Sequence, residues 1–318
     1  MTAADGMISF LKPTGLWRSF WYTAIALFLL AACESLSAAP IVTIIDDDAR
    51  SIKAIESVKS VADRHGIKVT FAAVASFLQK TPDVAVRLHQ YEKEGHEIAS
   101  HSLTHSAKIW KAGLSADLRK IEQEVSGAEA VFKEFGLNPR TFVYPYGNFP
   151  RSVRAGIFKI VRKYYPAAFN ARGDINLPGK IYPLYISRHP MRKHNSMLMV
   201  KRLIDEASAS DRSWVVILTH SANSDFSTAM LEEIICYAKK SGAVFLPASK
   251  AWQQASSWPQ ISEDRIPDYD CFSDYVNVAY FHLPYLLAAG AVGVVLAGGL
   301  IFLLIRRRRN KKRSLDDL

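Results

Sequence analysis

Cysteine is scarce in this chain, with three residues among 318. Cys33 lies in an apolar segment near the start, so Cys236 and Cys271 are the pair that remains for a disulfide, and the sequence does not decide whether they meet. Three cysteines are too few for a disulfide framework, and no Cys-x-x-Cys or Cys/His spacing indicates a zinc finger. The fold must depend on a hydrophobic core, and 49% hydrophobic residues make disorder a poor description of most of the chain.

Acidic residues are also in short supply, which gives a formal net charge of +10. Such an excess can indicate a nucleic-acid partner. However, the run RRRRNKKR at residues 306–313 holds seven of the 40 basic residues, and the chain before it has 33 basic and 28 acidic residues. The excess belongs mainly to the tail, so we predict no nucleic-acid partner.

The basic run follows residues 283–305, which contain no charged residue. About 20 apolar residues span a bilayer as a helix, and a short basic flank favours the cytoplasmic side. We therefore predict a single-pass membrane protein with a transmembrane helix at 283–305, a cytoplasmic tail at 306–318, and the preceding domain outside the cytoplasm. A buried core helix is the alternative.

The first 39 residues have the pattern of a signal peptide or an uncleaved anchor, with Lys12 and Arg18 before a short apolar run and small residues after it. The segment LAAC, Leu30–Cys33, also resembles a bacterial lipobox. Both questions, cleavage and lipidation of Cys33, stay open at this stage.

Between residues 40 and 258, short apolar runs alternate with segments of helical period. The runs IVTII, HEIAS, TFVYPYG and SWVVILTH are typical of strands. Such alternation predicts an α/β fold with parallel pairing, and about seven units favour a closed or nearly closed β/α barrel. Residues 259–282 are acidic and aromatic without clear periodicity, and we interpret them as a juxtamembrane linker.

Unusual polar residues follow four of these strands. They are Asp46, Asp47 and Asp48 after IVTII, His101 and His105 after HEIAS, Tyr144 to Tyr146 in TFVYPYG, and His220 after SWVVILTH. In a β/α barrel the carboxyl ends of the strands carry the active site. The pattern predicts one site at this edge.

The spacing of His101 and His105 suits a metal ion, because side chains four residues apart share one face of a helical turn. A carboxylate from another strand would complete a three-ligand set that fits Zn²⁺ and admits Co²⁺ or Ni²⁺. Three consecutive aspartates repel each other, and capping of the following helix accounts for only one of them. A cation is the better explanation for such a cluster.

Taken together, four segments resemble the polysaccharide deacetylase family, the carbohydrate esterases with a nodulation-protein-type deacetylase domain. The segments are TIIDDDA, GHEIASHSLTH, FVYPYG and LTH, which match the family's Thr-Phe-Asp-Asp-Gly, His-Ser/Thr-x-x-x-His, Pro-Tyr-Gly and Leu-x-His motifs in order. The resemblance implies a distorted (β/α)₇-type barrel. It also implies hydrolysis of N-acetyl groups, or less often O-acetyl groups, from a glycan.

Carried onto this chain, the resemblance implies one role for each matched residue. Asp46 would be the general base; Asp47, His101 and His105 would bind the metal ion; His220 would be the general acid; the Tyr146 N–H would bind the oxyanion; and Leu218 would contact the acetyl methyl group. The third aspartate stands where the family usually has glycine, so the alternative register, with Asp47 as base and Asp48 as ligand, stays open.

A second departure from the family concerns an arginine that orients the catalytic base in many members. This chain has Val143 at that position, three residues before Tyr146. Arg188 is the candidate replacement, and Arg140 is expected to be an ordinary exposed residue.

Other histidines receive weaker assignments. His96 and Glu97 are expected to be structural, and His189 and His194 to lie in a basic loop that is either solvated or part of a substrate cleft. The resulting hypothesis is a membrane-tethered, extracytoplasmic deacetylase of an N-acetylated polysaccharide. An O-acetyl esterase and a non-catalytic glycan-binding envelope protein are the alternatives.

Overall fold

A computed structural model of the chain describes residues 38–112, 115–191 and 196–267. Within these ranges, no helix combines the length and the apolar character that crossing a bilayer requires. The predicted transmembrane helix at 283–305, the tail at 306–318, and all but the last two residues of the predicted signal segment lie outside them. The described residues from 38 to 266 belong to one compact unit, and Pro267 belongs to a second.

The strands form one curled parallel sheet. Their bounds are β1 Ile41–Asp48, β2 Thr70–Ala73, β3 Glu97–Ser100, β4 Phe142–Val143, β5 Ala168–Phe169, β6 His189–Pro190, β7 Trp214–Thr219 and β8 Val244–Phe245. Their order is β5-β4-β3-β2-β1-β7-β6, with β8 paired to the start of β1. A bridge between Phe169 and Ile186 links the segment before β6 back to β5. The predicted α/β class with parallel pairing is confirmed at this level.

Helices connect the strands and cover the outer face of the sheet. They are α1 Ile52–Arg64, α2 Ala75–Lys80, α3 Pro82–Lys93, α4 Ala107–Trp110, α5 Leu118–Glu134, α6 Arg151–Val161, α7 Ser196–Ser208, α8 Thr228–Lys240 and α9 Ala248–Ala255, followed by a 3₁₀ turn at Glu263–Arg265. Local sequence explains their starts: Ser51 caps α1 by accepting from the Ala54 N–H, and Asp117 caps α5 by accepting from the Arg119 N–H.

The alternation of side chains along β1 determines which residues face the inside of the curled sheet. Ile41 and Ile45 pack inside with Trp214 and Val216 of β7, whereas Val42 and Ile44 pack outside against the helices. Both faces are buried, so four of the first five residues, IVTII, are apolar, as expected for a parallel sheet covered on both sides. For the same reason the sequence IVTII does not reveal which residues face inward.

The predicted linker starts too early at residue 259. Ile261 donates its N–H to the Ile181 carbonyl, and Ile266 is buried, with its carbonyl accepting from Arg154. These contacts fix residues 259–266 on the folded unit. The apolar positions involved are too few to show a period, which is why the segment has no helical or strand pattern in the sequence.

Candidate active site

The predicted polar residues meet at the carboxyl edge of the sheet. β1 pairs with β7 so that Asp46 lies opposite Thr219, and with β2 so that Asp48 lies opposite Ala73. β3 ends beside them at Ser100, directly before His101. The parallel register therefore carries the residues that follow β1, β3 and β7 to one place.

Asp48, His101 and His105 form a compact group of possible metal ligands. Their candidate ligand atoms all lie within 4.8 Å of one another. The Nε2 atom of His105 is 3.9 Å from Asp48 Oδ1. Asp48 Oδ1 is buried and has no hydrogen-bond partner among the described residues, while Asp48 Oδ2 pairs with Arg50 at 3.1 Å. Since a buried carboxylate oxygen without a partner is costly, this atom fits a cation.

The two histidines present neutral ring nitrogens. His101 Nδ1 donates to the Val143 carbonyl at 2.8 Å, which leaves Nε2 unprotonated toward the aspartates. Burial lowers the pKa of His101 to about 4 and also lowers the pKa of His105. Metal ions bind neutral imidazole, and an outer hydrogen bond to the other ring nitrogen orients such ligands.

The helical turn predicted for these histidines is wrong, because residues 101–106 form an irregular loop. The two rings approach to 4.7 Å between centroids because the backbone turns sharply, with positive φ at Ser102 and His105. Asp48 and Tyr146 also have positive φ, at 79° and 62°. Such conformations cost about 1–3 kcal/mol each and are typical of functional sites, where the surrounding structure holds them.

Asp47 occupies a different position from Asp48. Asp47 lies on the inward face of β1. Its Oδ1 accepts a hydrogen bond from the buried Arg188 side chain at 2.7 Å. Its Oδ2 lies 3.8 Å from His101 Nε2 and 4.0 Å from His220 Nε2. Burial acts to raise the pKa of Asp47, but the positive charge of Arg188, with His101 and His220, outweighs it and holds this pKa below its ordinary value. Asp47 is thus an ionised carboxylate within reach of both histidines.

Asp46, predicted as the base, points away from this group. Its Oδ1 accepts from the Thr219 hydroxyl and the Ser221 N–H, both at 2.8 Å, and its Oδ2 accepts from the Ser221 hydroxyl at 2.6 Å. Burial raises its pKa to about 6 despite these hydrogen bonds. Asp46 and Asp47 lie on opposite faces of β1, because successive side chains of a strand alternate.

The remaining predicted residues surround the same edge. His220 has a partly exposed side chain, and Leu218 is buried at the inward position after Val216. Arg188 also donates from Nε to the Asn170 carbonyl at 2.8 Å, whereas Arg140 is exposed. Arg188 therefore contacts the aspartate cluster through Asp47.

Tyr146 lies at the open side of the group. Its side chain is 39% exposed, and its ring centroid is 4.6 Å from that of His105. Its hydroxyl donates to the His105 carbonyl at 3.2 Å. The following Gly147 has φ 78°, and a Cβ there would come within 2.4 Å of Ala171 Cβ, so the turn requires glycine. The Tyr146 N–H has no acceptor among the residues that the structure describes.

Glu124 of α5 is a buried acid that holds the histidine loop. Its carboxylate accepts from the Thr104 N–H at 2.9 Å, from the Thr104 hydroxyl, and from Trp110 Nε1 at 3.4 Å. The backbone carbonyl of Glu124 accepts a hydrogen bond from the Leu103 N–H. Glu124 is not among the predicted site residues, although its place one turn after Ile121 and beside Val125 is that of an inward-facing residue.

We expect Glu124→Gln to weaken metal binding about ten-fold. Mutation of a residue that orients metal ligands from outside the coordination shell typically has an effect of this size. The side-chain amide can accept one of the hydrogen bonds, but its NH₂ group would face another donor in the loop. Titration calorimetry with Zn²⁺ measures the effect. Glu122→Gln, on the same helix but exposed and paired with Lys163, is the control. Equal affinities for the two variants would contradict this role for Glu124.

His96 and Glu97 are integrated into the fold at the opposite end of the sheet. His96 Nδ1 accepts from the Val69 N–H, and Glu97 accepts from the Thr141 hydroxyl and the Ser249 N–H. Burial lowers the pKa of His96 to about 4. His96, Asp63 and Glu94 also lie close enough to bind a cation, but Lys59 pairs with both carboxylates.

The loop predicted for His189 is only partly correct. His189 lies in the short strand β6, opposite Ile217, and its Nδ1 is 3.2 Å from the Gly173 carbonyl. A two-residue strand at the edge of the sheet leaves too short a pattern to be recognised. His194 lies outside the described residues.

The chain is similar to known proteins in this region. The family model described as polysaccharide deacetylase matches residues 37–161. The match includes the TIIDDDA, GHEIASHSLTH and FVYPYG segments and confirms the predicted resemblance, while the LTH segment with His220 lies beyond it. A curated protein from Bacillus sp., named gellan lyase, is 26% identical over 191 residues. The match covers 54% of this chain and 7% of that protein, so the chain spans a small part of that relative.

Two solved structures are similar to this chain. A family 4 acetyl xylan esterase from Clostridium thermocellum, in complex with a cobalt ion, is 17% identical with a TM-score of 0.50, over 72% of this chain and 97% of the esterase. The catalytic domain of a peptidoglycan N-acetylglucosamine deacetylase from Eubacterium rectale is 19% identical with a TM-score of 0.47, over 70% of this chain and 92% of that domain. At 17% identity, the similarity to the esterase supports the curled α/β fold and no more.

Proposed function

Given that residues 37–161 are similar to the polysaccharide deacetylase family, we propose that this chain removes acetyl groups from a glycan by metal-dependent hydrolysis. N-acetyl groups of an N-acetylglucosamine-type polysaccharide are the proposed substrate. The observation that carries the proposal is the buried Asp48 oxygen without a hydrogen-bond partner, which faces two neutral histidines beside an ionised Asp47.

The proposed metal ligands are Asp48, His101 and His105. This differs from the predicted set with Asp47 and corresponds to the alternative register, in which Ala49 rather than Asp48 takes the family's glycine position. Asp48 and Ala49 both have positive φ, 79° and 45°, so the backbone fits either register; the grouping of Asp48 with both histidines supports this one. Two imidazoles and one carboxylate suit Zn²⁺ and admit Co²⁺ or Ni²⁺. The cobalt ion in the structurally similar esterase is in keeping with such a donor set.

Asp47 is the proposed general base. Arg188 holds its Oδ1, and its Oδ2 faces His101 and His220, so one oxygen is fixed and the other is available to take a proton from water. Arg188 would thus supply the orientation that an arginine gives in many members of the family, where this chain has Val143. When bound, the metal ion would polarise the acetyl carbonyl and make water a better nucleophile.

Three further residues would complete the reaction. The Tyr146 N–H would donate to the oxyanion of the tetrahedral intermediate, since it has no acceptor among the described residues. His220, as imidazolium, would protonate the departing amine. Leu218 would contact the acetyl methyl group from its position beside the base strand. No serine or cysteine nucleophile is needed.

Asp46 is proposed to position the acid rather than to act as the base. It accepts three hydrogen bonds from Thr219 and Ser221, the two neighbours of His220. The three consecutive aspartates would then have separate roles: Asp46 fixes the turn that carries His220, Asp47 takes the proton, and Asp48 binds the cation.

The location of this activity is proposed from the sequence. A domain within residues 40–266, an N-terminal signal or anchor and a helix at 283–305 would place the site outside the cytoplasm, tethered to the membrane. A polysaccharide of the cell envelope, which does not enter the cell, is a suitable substrate for that arrangement.

Acetate release from two glycans tests the proposed function. The full-length chain, loaded with Zn²⁺, is incubated with the tetramer of N-acetylglucosamine and with acetylated xylan. We expect acetate from the tetramer. Acetate from xylan alone would replace the proposal with an O-acetyl esterase. Stoichiometric metal without acetate from either glycan would favour the non-catalytic glycan-binding alternative.

A further inference from the structure

Basic side chains predominate around the candidate site. We define the rim as the described loops that follow β1, β3, β4, β5 and β7. Apart from the buried Arg188 and aspartate cluster, its basic residues are Arg50, Lys108, Lys111, Arg172 and Lys180, and its acidic residues are Asp117, Asp174 and Asp225. Arg172 pairs with Asp174 at 3.1 Å, and Arg50 pairs with Asp48. The exposed surface around the opening therefore carries an excess of positive charge.

Lys111 is the basic residue of the rim that is fixed closest to Tyr146. It is exposed at the end of α4, and its ammonium lies 4.3 Å from the centroid of the Tyr146 ring. No carboxylate of the described residues lies within 4.0 Å of it. Contact with an aromatic face holds a cation in place while leaving its charge unneutralised.

The Tyr146 ring connects this cation to the candidate metal ligands. The ring packs against His105, and its hydroxyl donates to the His105 carbonyl. Lys111 is therefore held at the open side of the site, two contacts away from His105. A neutral glycan would bring no partner for this ammonium, whereas a sugar with a carboxylate would.

We propose that Lys111, held by Tyr146, forms a subsite for the carboxylate of a uronic-acid-type sugar that neighbours the acetylated sugar. The proposal rests on the proposed function and narrows its substrate class to an anionic glycan. The positive rim would attract such a polymer, and Lys111 would pair with one carboxylate. Because the ion pair between Lys111 and the sugar carboxylate would be exposed on one side, we expect it to contribute as much as a surface ion pair does. This corresponds to a KM about five-fold lower.

Two tetrasaccharides of equal length provide the test. One contains only N-acetylglucosamine, and the other alternates N-acetylglucosamine with glucuronate. The zinc-loaded full-length chain, Lys111→Ala and Lys111→Arg are compared by kcat and KM for acetate release. Lys250→Ala, which changes an exposed lysine on α9 at the opposite end of the sheet, is the control.

We expect the wild-type chain to have the lower KM for the anionic tetrasaccharide. Lys111→Ala should raise that KM about five-fold, with kcat and the neutral substrate nearly unaffected, and Lys111→Arg should restore it. Added salt should raise the KM of the anionic substrate only. Equal effects of Lys111→Ala on the two substrates, or a wild-type preference for the neutral one, would overturn the subsite. Absence of acetate from both substrates would instead contradict the proposed function.

Discussion

Asp47→Asn is expected to lower kcat for acetate release about 10³-fold while the protein retains its metal ion. The amide cannot take a proton from water, and loss of a general base typically costs 10²–10⁴-fold. Metal content should persist because Asp48, His101 and His105 are unchanged. Metal analysis and single-substrate kinetics on the N-acetylglucosamine tetramer measure both effects.

Asp46→Asn is the matched control, with the same change on the adjacent residue of the same strand. An asparagine there can still accept from Thr219 and from the Ser221 N–H, so at least a tenth of the wild-type kcat should remain. Asp47→Asn also removes the partner of the buried Arg188, so the folded fraction is determined by circular dichroism and kcat is expressed per folded protein. If Asp46→Asn were inactive with its metal ion retained while Asp47→Asn lost its metal ion, the register with Asp46 as base and Asp47 as ligand would be correct.

His105→Ala and His220→Ala should separate metal binding from proton transfer. His105→Ala removes one of three proposed ligands, and we expect the purified protein to lose stoichiometric metal and activity together. His220→Ala leaves the ligands intact, so metal should be retained while kcat falls about 10²–10³-fold. Metal analysis of the two proteins after identical dialysis distinguishes the roles. Full activity of His220→Ala would exclude it as the acid.

The order of elements and the edge that carries the site could be predicted from the sequence. IVTII, HEIAS, TFVYPYG and SWVVILTH have apolar runs of strand length, and parallel pairing puts the residues that follow them at one edge. Arg188 could be proposed because this chain has Val143 where many members of the family have an arginine. The cluster of carboxylates therefore needed a cation from another part of the chain. These inferences rest on period, chain order and charge, all of which the sequence contains.

The division of roles among the three aspartates could not be predicted. It depends on which residues of β1 face inward, and a strand buried on both faces has no polar alternation to reveal this. The approach of His101 to His105 depends on two residues with positive φ, Ser102 and His105, neither of them glycine. Glu124 could have been found, because an acid at an apolar position of an amphipathic helix requires a buried partner.

Removal and return of the metal ion tests the central claim most directly. The full-length chain is dialysed against a chelator, assayed on the N-acetylglucosamine tetramer, titrated with Zn²⁺ and assayed again. We expect the metal-free protein to lose acetate release and to recover it fully at one ion per chain, with no recovery for His105→Ala. Undiminished acetate release by the metal-free protein would contradict that claim.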